Sequence, residues 1–548
     1  MSSKAVIIDG YVDEPACFGV PPYISPYVRY AAGAFERNKI STDFFTIDQV
    51  RADPYLLSGI RNAEYVLVVS GVSVPGKYLG GVPAKAPEIL QIGAALKDPV
   101  TMIGGPVVFG SAAGGGEAAE KQCFSPYNHI LEGETGAAVE SVIRGEGDCG
   151  TFDYERIDEF AVAGAEIVRK HPGFPDVICE LETARGCSRH VSGGCSFCTE
   201  FLYGRPEFRS AAGVHAEVKA LYDAGIRHFR VGRQPDILTY GASGGEYPCP
   251  FPEKVEHLFA GIRKAAPELK TLHIDNINPR NIFEHEEAAA EALRSIVRWH
   301  TPGDVAAFGL ESADPAVVGA NNLKATSDQV MRAIEVVNEV GGCREGGIPH
   351  LLPGLNFVLG LKGETPLTYE LNYQFLMDVL ESDLLIRRVN IRQVMPFEGT
   401  KAYEENTIGM HDHEFKKFKE DVRKNFDHPM LMKVYPSGTV LRDVIIEEEG
   451  NTSFGRQMGS YPILVGVPEK VEKKTHIDAV VSGWGQRSIT AFRFPVKINE
   501  LSIQTIKQIP GIGKKTAASI VAKRPFKDIG EFRKVAGETA LDDCFSFE

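Results

Sequence analysis

The first third of the chain alternates short apolar runs with stretches of helical period. Residues 4–8, 63–70 and 100–103 read as strands, and residues 27–38 as an amphipathic helix. Strand and helix in turn predict βαβ units, and hence a doubly wound parallel sheet. Such sheets place ligands at the carboxyl ends of their strands. Gly104-Gly105-Pro106 stands at one such end, either as part of a site or as a tight turn.

A Pro- and Gly-bearing stretch, His171-Pro172-Gly173-Phe174-Pro175, marks a boundary. Beyond it, candidate strands recur at 177–181, 227–231, 271–275, 305–310, 355–359 and 389–394, most of them separated by helical patterns. Six such strands predict a partial (βα)6 barrel. Over 430–495 the helical period gives way to short β-rich runs, among them 439–446 and 477–482, which predict a small all-β domain. Residues 500–548 turn helical again, with glycine punctuation. The expected α/β organisation has four units: a doubly wound domain over 1–170, a partial barrel over 175–425, a small β domain over 430–495 and a helical unit over 500–548.

Length and charge refine this picture. The 548 residues need several cores. Lys and Arg number 59 against 73 Asp and Glu, a net charge of -14. That excludes a surface coated in basic charge but leaves room for a local basic site. No run of about 18 apolar residues appears, so no membrane span is expected. The short apolar stretch at the N-terminus leads into a turn and reads as a strand instead of a signal peptide, so a cytoplasmic location is expected. Ten cysteines are too sparse for a disulfide scaffold, which favours metal or redox use.

Three of those cysteines fall in twelve residues: Cys187, Cys195 and Cys198, spaced C-x7-C-x2-C directly after the first expected barrel strand. Barrels carry their chemistry at that face. Three thiolates can hold three irons of a cubane cluster, one fewer than the four cysteines of a closed cluster. A Cys3His zinc site completed by His190 stays open, although zinc favours two paired knuckles and one is present. Buried free thiols are the remaining reading.

The loop resembles that of the radical S-adenosylmethionine (SAM) superfamily, whose usual spacing is C-x3-C-x2-C with an aromatic before the third cysteine. Phe197 supplies the aromatic, and the longer gap contains Ser192-Gly193-Gly194, which can loop out. Similar motifs follow in order: residues 204–210 (GRPEFRS), 232–241 (GRQPDILTYG), 308–314 (FGLESAD), 356–365 (NFVLGLKGET) and 389–400, ending PFEGT. The resemblance implies a [4Fe-4S] cluster on Cys187, Cys195 and Cys198. Its open iron would bind SAM, which is then cleaved by one-electron reduction. It also implies SAM contacts from Gln234, Glu311 and Ser312, a carboxylate partner in Lys324, and an electron donor such as ferredoxin or flavodoxin. A solvated surface lysine is the alternative for Lys324.

The flanks extend the resemblance. The N-terminal unit is similar to the cobalamin-binding-like domains that precede many radical SAM cores, through residues 19–26 (GVPPYISP) and 103–106 (IGGP). The axial-ligand pattern D-x-H-x-x-G is absent, which makes cobalamin doubtful and leaves open a cobalamin bound without that ligand. Radical SAM methylthiotransferases carry three further cysteines there. Cys17 stands at about the expected place, but Cys123 and Cys149 do not, which argues against a second cluster and against sulfur insertion. Residues 432–492 resemble the RNA-binding TRAM domain through 436–442 (PSGTVLR), 454–457 (FGRQ) and 459–462 (GSYP). Arg442, Arg456 and Arg487 could then meet phosphates and Tyr461 or Trp484 stack on bases; ordinary surface and core roles are the alternative.

Residues 506–522 (IKQIPGIGKKTAASIVA) match a helix-hairpin-helix motif. Its turn through Gly511 and Gly513 offers backbone N–H groups to a phosphate, with Lys514 and Lys515 beside it. A protein-docking hairpin is the competing reading. The leading expectation is thus a radical SAM enzyme that modifies a nucleic acid such as tRNA. Two alternatives remain: a radical SAM enzyme acting on a protein or small metabolite, and a non-catalytic nucleic-acid-binding protein with a structural Fe-S or zinc site.

Overall fold

The computed structural model describes residues 4–14, 17–72, 80–112 and 114–548. Five parallel strands form the N-terminal sheet: Lys4–Asp9, Ser41–Thr46, Tyr65–Val69, Val100–Gly104 and His129–Ile130. In space the second strand lies outside the first, followed by the third, fourth and fifth. This is the flavodoxin-like doubly wound order. The first strand shows how the sequence builds two faces. Ala5 and Ile7 pack into the core shared with Val28 and Ala31 of the helix Pro26–Arg37, while Val6 and Ile8 join Ile89 and Ile92 of the helix Ala86–Ala95. Alternate residues of a strand point to opposite faces.

Six parallel strands follow in chain order: Ile178–Glu182, His228–Arg233, Thr271–Ile274 with its continuation Asn276–Ile277, Asp304–Glu311, Leu351–Leu359 and Arg388–Gln393. Helices such as Ala211–Asp223, Pro252–Ala265, Ser327–Gly341 and Pro366–Glu381 lie between them. Only Asp275 separates the two parts of the third strand, so the sheet before it and the sheet after it run on as an open βα barrel. Tyr23–Ile24, far upstream, pairs in parallel with Ile178 and Cys179 and extends the first barrel strand's free edge. The N-terminal unit therefore contributes a strand to the barrel it precedes.

A buried charge triad secures this junction. Glu217, on the helix Ala211–Asp223, accepts hydrogen bonds from both Arg29 and Arg209, and all three side chains are fully buried. Arg209 also binds Asp158 at 2.5 Å. Burial alone would raise the Glu217 carboxyl, but the two guanidinium groups outweigh it and hold it below its ordinary value.

Five strands, Val440–Glu448, Ser453–Gln457, Leu464–Val467, His476–Trp484 and Ser488–Arg493, close into a small barrel. Its 458–461 loop enters the βα barrel. Ser460 N donates to His273 Nδ1 at 2.8 Å, Tyr461 Oη to Asp275 at 2.7 Å, and Tyr23 Oη to Gly459 O at 2.8 Å. Arg230 sits beneath, paired with Glu180 and Asp275 at 2.6 Å each. The helices Ile503–Ile506, Lys514–Lys523 and Ile529–Ala536 pack against the small barrel through Val480, Phe492, Ile506, Ile520 and Phe532. Among the described residues no helix is long and apolar enough to cross a membrane.

Candidate functional site

The first barrel strand ends at Glu182, and the chain turns into the cysteine loop through Gly186. Its φ is +87°, and a Cβ there would lie 2.5 Å from Arg205 O, so the position accepts glycine alone. The Gly186 N–H donates to Glu200 at 2.8 Å. Cys187 follows, and residues Ser188–Ser192 coil into a single 3-10 turn. Gly193 and Gly194, at φ +79° and +63°, reverse the chain toward Cys195. The seven-residue gap is thereby folded into a compact turn, and Cys187, Cys195 and Cys198 all line one cavity of about 1530 Å³.

The loop is latched to the segment that follows the fourth barrel strand. Ser196 donates from Oγ to Asn321 at 2.8 Å, and Asn322 donates to Gly194 O at 2.8 Å. Arg189, inside the gap, reaches Cys195 Sγ at 3.1 Å, Asn322 at 3.0 Å and Glu246 at 2.9 Å. Asn321 in turn donates to Lys362 O, after the fifth strand. Sequence reading missed this latch, because the cysteine loop and Asn321-Asn322 are at least 125 residues apart. The paired Asn321-Asn322 after a helix was the local signal.

Burial pushes all three thiols up, while Arg189 and Lys324 pull Cys195 the other way. Buried thiols become thiolates when a cationic group holds them. A zinc site needs its donors around one point. Among the described residues no three His, Cys, Asp or Glu side chains converge in that way, and His190 Nδ1 lies against Cys187 O at 3.0 Å.

The cavity runs between the carboxyl ends of both parallel sheets. Val72, Pro106 and Phe109 line it from the N-terminal side. From the barrel come Asp236, Asn278, Glu311 and Lys324. Glu311 is held at φ +63° and a register shift in the fourth strand falls beside it. A Cβ on Gly309 would meet Glu311 Oε1 at 2.1 Å and Lys324 Nζ at 2.6 Å, so both side chains reach across that bare backbone. Burial raises the Glu311 carboxyl to about 7 against the pull of Lys324. Asp236 is raised by burial to about 6 and accepts from Asn281 at 2.6 Å. The asparagines of the 276–281 segment and Asp236 were not singled out from sequence, although a polar cluster after an apolar strand marks them.

The other expected residues lie elsewhere. Gln234 and Ser312 are buried behind the cavity wall. Gln234 donates to Val231 O at 3.3 Å, and Ser312 Oγ donates to Asn372 at 3.4 Å. Arg442 is exposed and pairs with Asp478 at 2.5 Å, and Arg456 lies 3.4 Å from Glu447. Tyr461 points into the βα barrel, with the Arg388 guanidinium 3.8 Å above its ring, and Trp484 donates to Tyr435 O. Gly511, at φ +84°, and Gly513 face open space before the helix Lys514–Lys523, with Lys514 and Lys515 exposed at its start. Cys123 and Cys149 are exposed free thiols, and of Cys17 only the backbone is described.

The fold is similar to that of one solved radical SAM methyltransferase. TsrM of Kitasatospora setae, solved with a tryptophan substrate and a SAM analogue, superposes with a TM-score of 0.51 at 16% identity, over 73% of this chain and 75% of its own. No established family's sequence profile matches the chain. An uncharacterized protein of Archaeoglobus fulgidus is 41% identical over 553 residues, 98% of each chain. Another, of Methanocaldococcus jannaschii, is 41% identical over 89% of this chain and 93% of its own. The protein belongs to the family of these two.

Proposed function

We propose that the protein is a radical SAM enzyme whose substrate is a nucleic acid. The observation that carries the first part is the meeting of Cys187, Cys195 and Cys198 on one cavity at the carboxyl face of the barrel. The donor set fits a [4Fe-4S] cluster: three thiols on one glycine-hinged loop, one fewer than the four of a closed cubane. Bound there, the cluster supplies the electron for reductive cleavage of SAM.

The chain's own groups supply binding. The Lys324 ammonium makes no hydrogen bond or ion pair among the described residues, although it lies close to Glu311, Cys187 and Cys195. It is placed to take the carboxylate of SAM, and Glu311 and Asp236 to take its hydroxyl or amino groups. The volume exceeds the roughly 300–1,000 Å³ of an ordinary ligand site, which suits SAM and a substrate together. Among the described residues no histidine of the N-terminal unit lines the cavity, so a cobalamin held there would have no histidine ligand from that unit. The nucleic-acid part rests on the open helix-hairpin-helix turn at Gly511–Gly513 with its two exposed lysines.

Anaerobic reconstitution with iron and sulfide, followed by reduction in the presence of SAM, tests the enzyme reading. The expected result is a cubane spectrum and 5′-deoxyadenosine, both lost in Cys195→Ala with the circular dichroism unchanged. Neither product from the native chain would overturn it. Comparison of modified nucleosides from wild-type and deletion cells tests the substrate: a missing nucleoside is expected, and identical profiles would count against nucleic acid.

A further inference from the structure

The sixth barrel strand, Arg388–Gln393, carries Arg388, Asn390 and Arg392 at alternate positions, and all three line the cavity. Lys419, on the helix Asp412–Val422, lines the same end. There the cavity adjoins a second one of about 450 Å³, which shares Phe415 and Lys419 and adds Arg423 and Gln486. Arg487 stands next to Gln486 at the rim of the small β-barrel. These five cations come from three separate parts of the chain.

Cations in a protein of net charge -14 would be expected to find acids. Several do: Arg230 takes Glu180 and Asp275, and Arg332 takes Glu286 and Glu335. The side chains of Arg388, Arg392, Lys419, Arg423 and Arg487 make no hydrogen bond and no ion pair among the described residues. They are near enough to oppose one another. Burial, Arg392 and Arg487 bring the Arg388 guanidinium down to about 10 against the pull of Tyr461 and Asp275. Burial, Arg423 and Arg487 lower the Lys419 ammonium. Asp427 stands among them, but burial raises its carboxyl to about 6 in spite of three arginines, and Glu420 on the second cavity is exposed. Four of the five cations are half-buried. Gathering and partly desolvating like charges is costly unless a ligand neutralises them.

We infer that this end of the cavity, between the sixth strand, the helix Asp412–Val422 and the small β-barrel, docks the phosphate groups of a polyanionic substrate. Four guanidinium forks suit phosphate oxygens, which they can grip in pairs. One carboxylate would not occupy five cations. The same continuous cavity carries the three cysteines, so a substrate held here by its phosphates extends toward the reacting end. The inference deepens the nucleic-acid reading and rests on it for the source of the phosphates.

The test uses the full-length chain with two probes, inorganic tripolyphosphate and an unmodified tRNA transcript, each titrated at several salt concentrations. The variants are Arg392→Gln with Lys419→Gln, and separately Arg423→Gln with Arg487→Gln. The second pair lies at the rim, so it stands as the probe if the first fails to fold by circular dichroism. Lys514→Ala with Lys515→Ala serves as the comparison at the hairpin. The expected result is that either cation pair weakens both probes roughly tenfold or more and reduces the salt slope by about one for each charge removed. The hairpin pair should weaken tRNA alone. If tripolyphosphate binds in this pattern and tRNA does not bind, the anion site stands and the nucleic-acid reading falls. If tRNA binds the cation variants as well as it binds the native chain, the inference is overturned and the nucleic-acid reading survives. Equal tripolyphosphate affinity for native chain and variants also overturns the inference.

Discussion

Arg189 donates to Cys195 Sγ at 3.1 Å from within the gap that separates Cys195 from Cys187. The extra residues of that gap therefore return to the cysteines as a brace, and Glu246 and Asn322 hold the brace from two sides. Arg189→Ala removes all three ties while leaving the thiols in place. The expected outcome is a severalfold lower iron and sulfide content after anaerobic reconstitution, with little change in Tm. Full cluster content in the variant would show that the brace is dispensable.

Gly186→Ala tests the entry to the same loop. The positive φ and the approach to Arg205 O give an expected cost of about 1–3 kcal/mol. The strain lies one residue before Cys187, so cluster content should fall together with stability in urea denaturation.

The charge triad makes a sharper prediction. Glu217→Gln leaves Arg29 and Arg209 buried without their shared carboxylate. Breaking such a buried arrangement costs about 3–5 kcal/mol, read as a lower midpoint in chemical denaturation. A loss under about 1 kcal/mol would mean that water reaches the site.

Asp9, at the end of the first N-terminal strand, gives a pH dependence. Burial raises its carboxyl to about 7, although the Tyr11 N–H lowers it. Between its ordinary value near 4 and about 7, the folded protein keeps a proton that the unfolded chain has released. Stability therefore falls as pH rises through that window. At about 1.4 kcal/mol per tenfold change in acidity, the loss is roughly 4 kcal/mol. Asp9→Asn should flatten the profile, with the native and variant proteins compared at pH 5 and pH 8.

Much of this architecture is legible in the sequence, for identifiable reasons. The barrel strands are legible as short runs of β-forming residues separated by stretches of helical period, although charged residues interrupt them, as in Ile178–Glu182 and Arg388–Gln393. The structure places the six within a few residues of the expected spans, from Ile178–Glu182 to Arg388–Gln393. The N-terminal edge strand Ser41–Thr46 was not singled out, because only alternate residues are buried and Asp43 interrupts it. The cysteines share a cavity because the residues that bring them there, Gly186, Gly193 and Gly194, are local. What depends on distant contacts was not legible. Gln234 follows the second strand as expected, yet its amide turns back onto Val231 O. Tyr461 looks like a surface aromatic of a small β-domain until the fold brings Arg388 and Asp275 to it.

The loop that ends in Tyr461 also limits how the protein can be divided. Through Gly459, Ser460 and Tyr461 the small barrel stops the lower end of the βα barrel, touching Tyr23, His273 and Asp275. A chain cut before Val440 would be a tube open at both ends, with Arg230 uncovered and the reaction chamber drained into solvent. The unit that resembles an RNA-binding appendage is thus also the stopper of the vessel, and the two barrels are not independent modules.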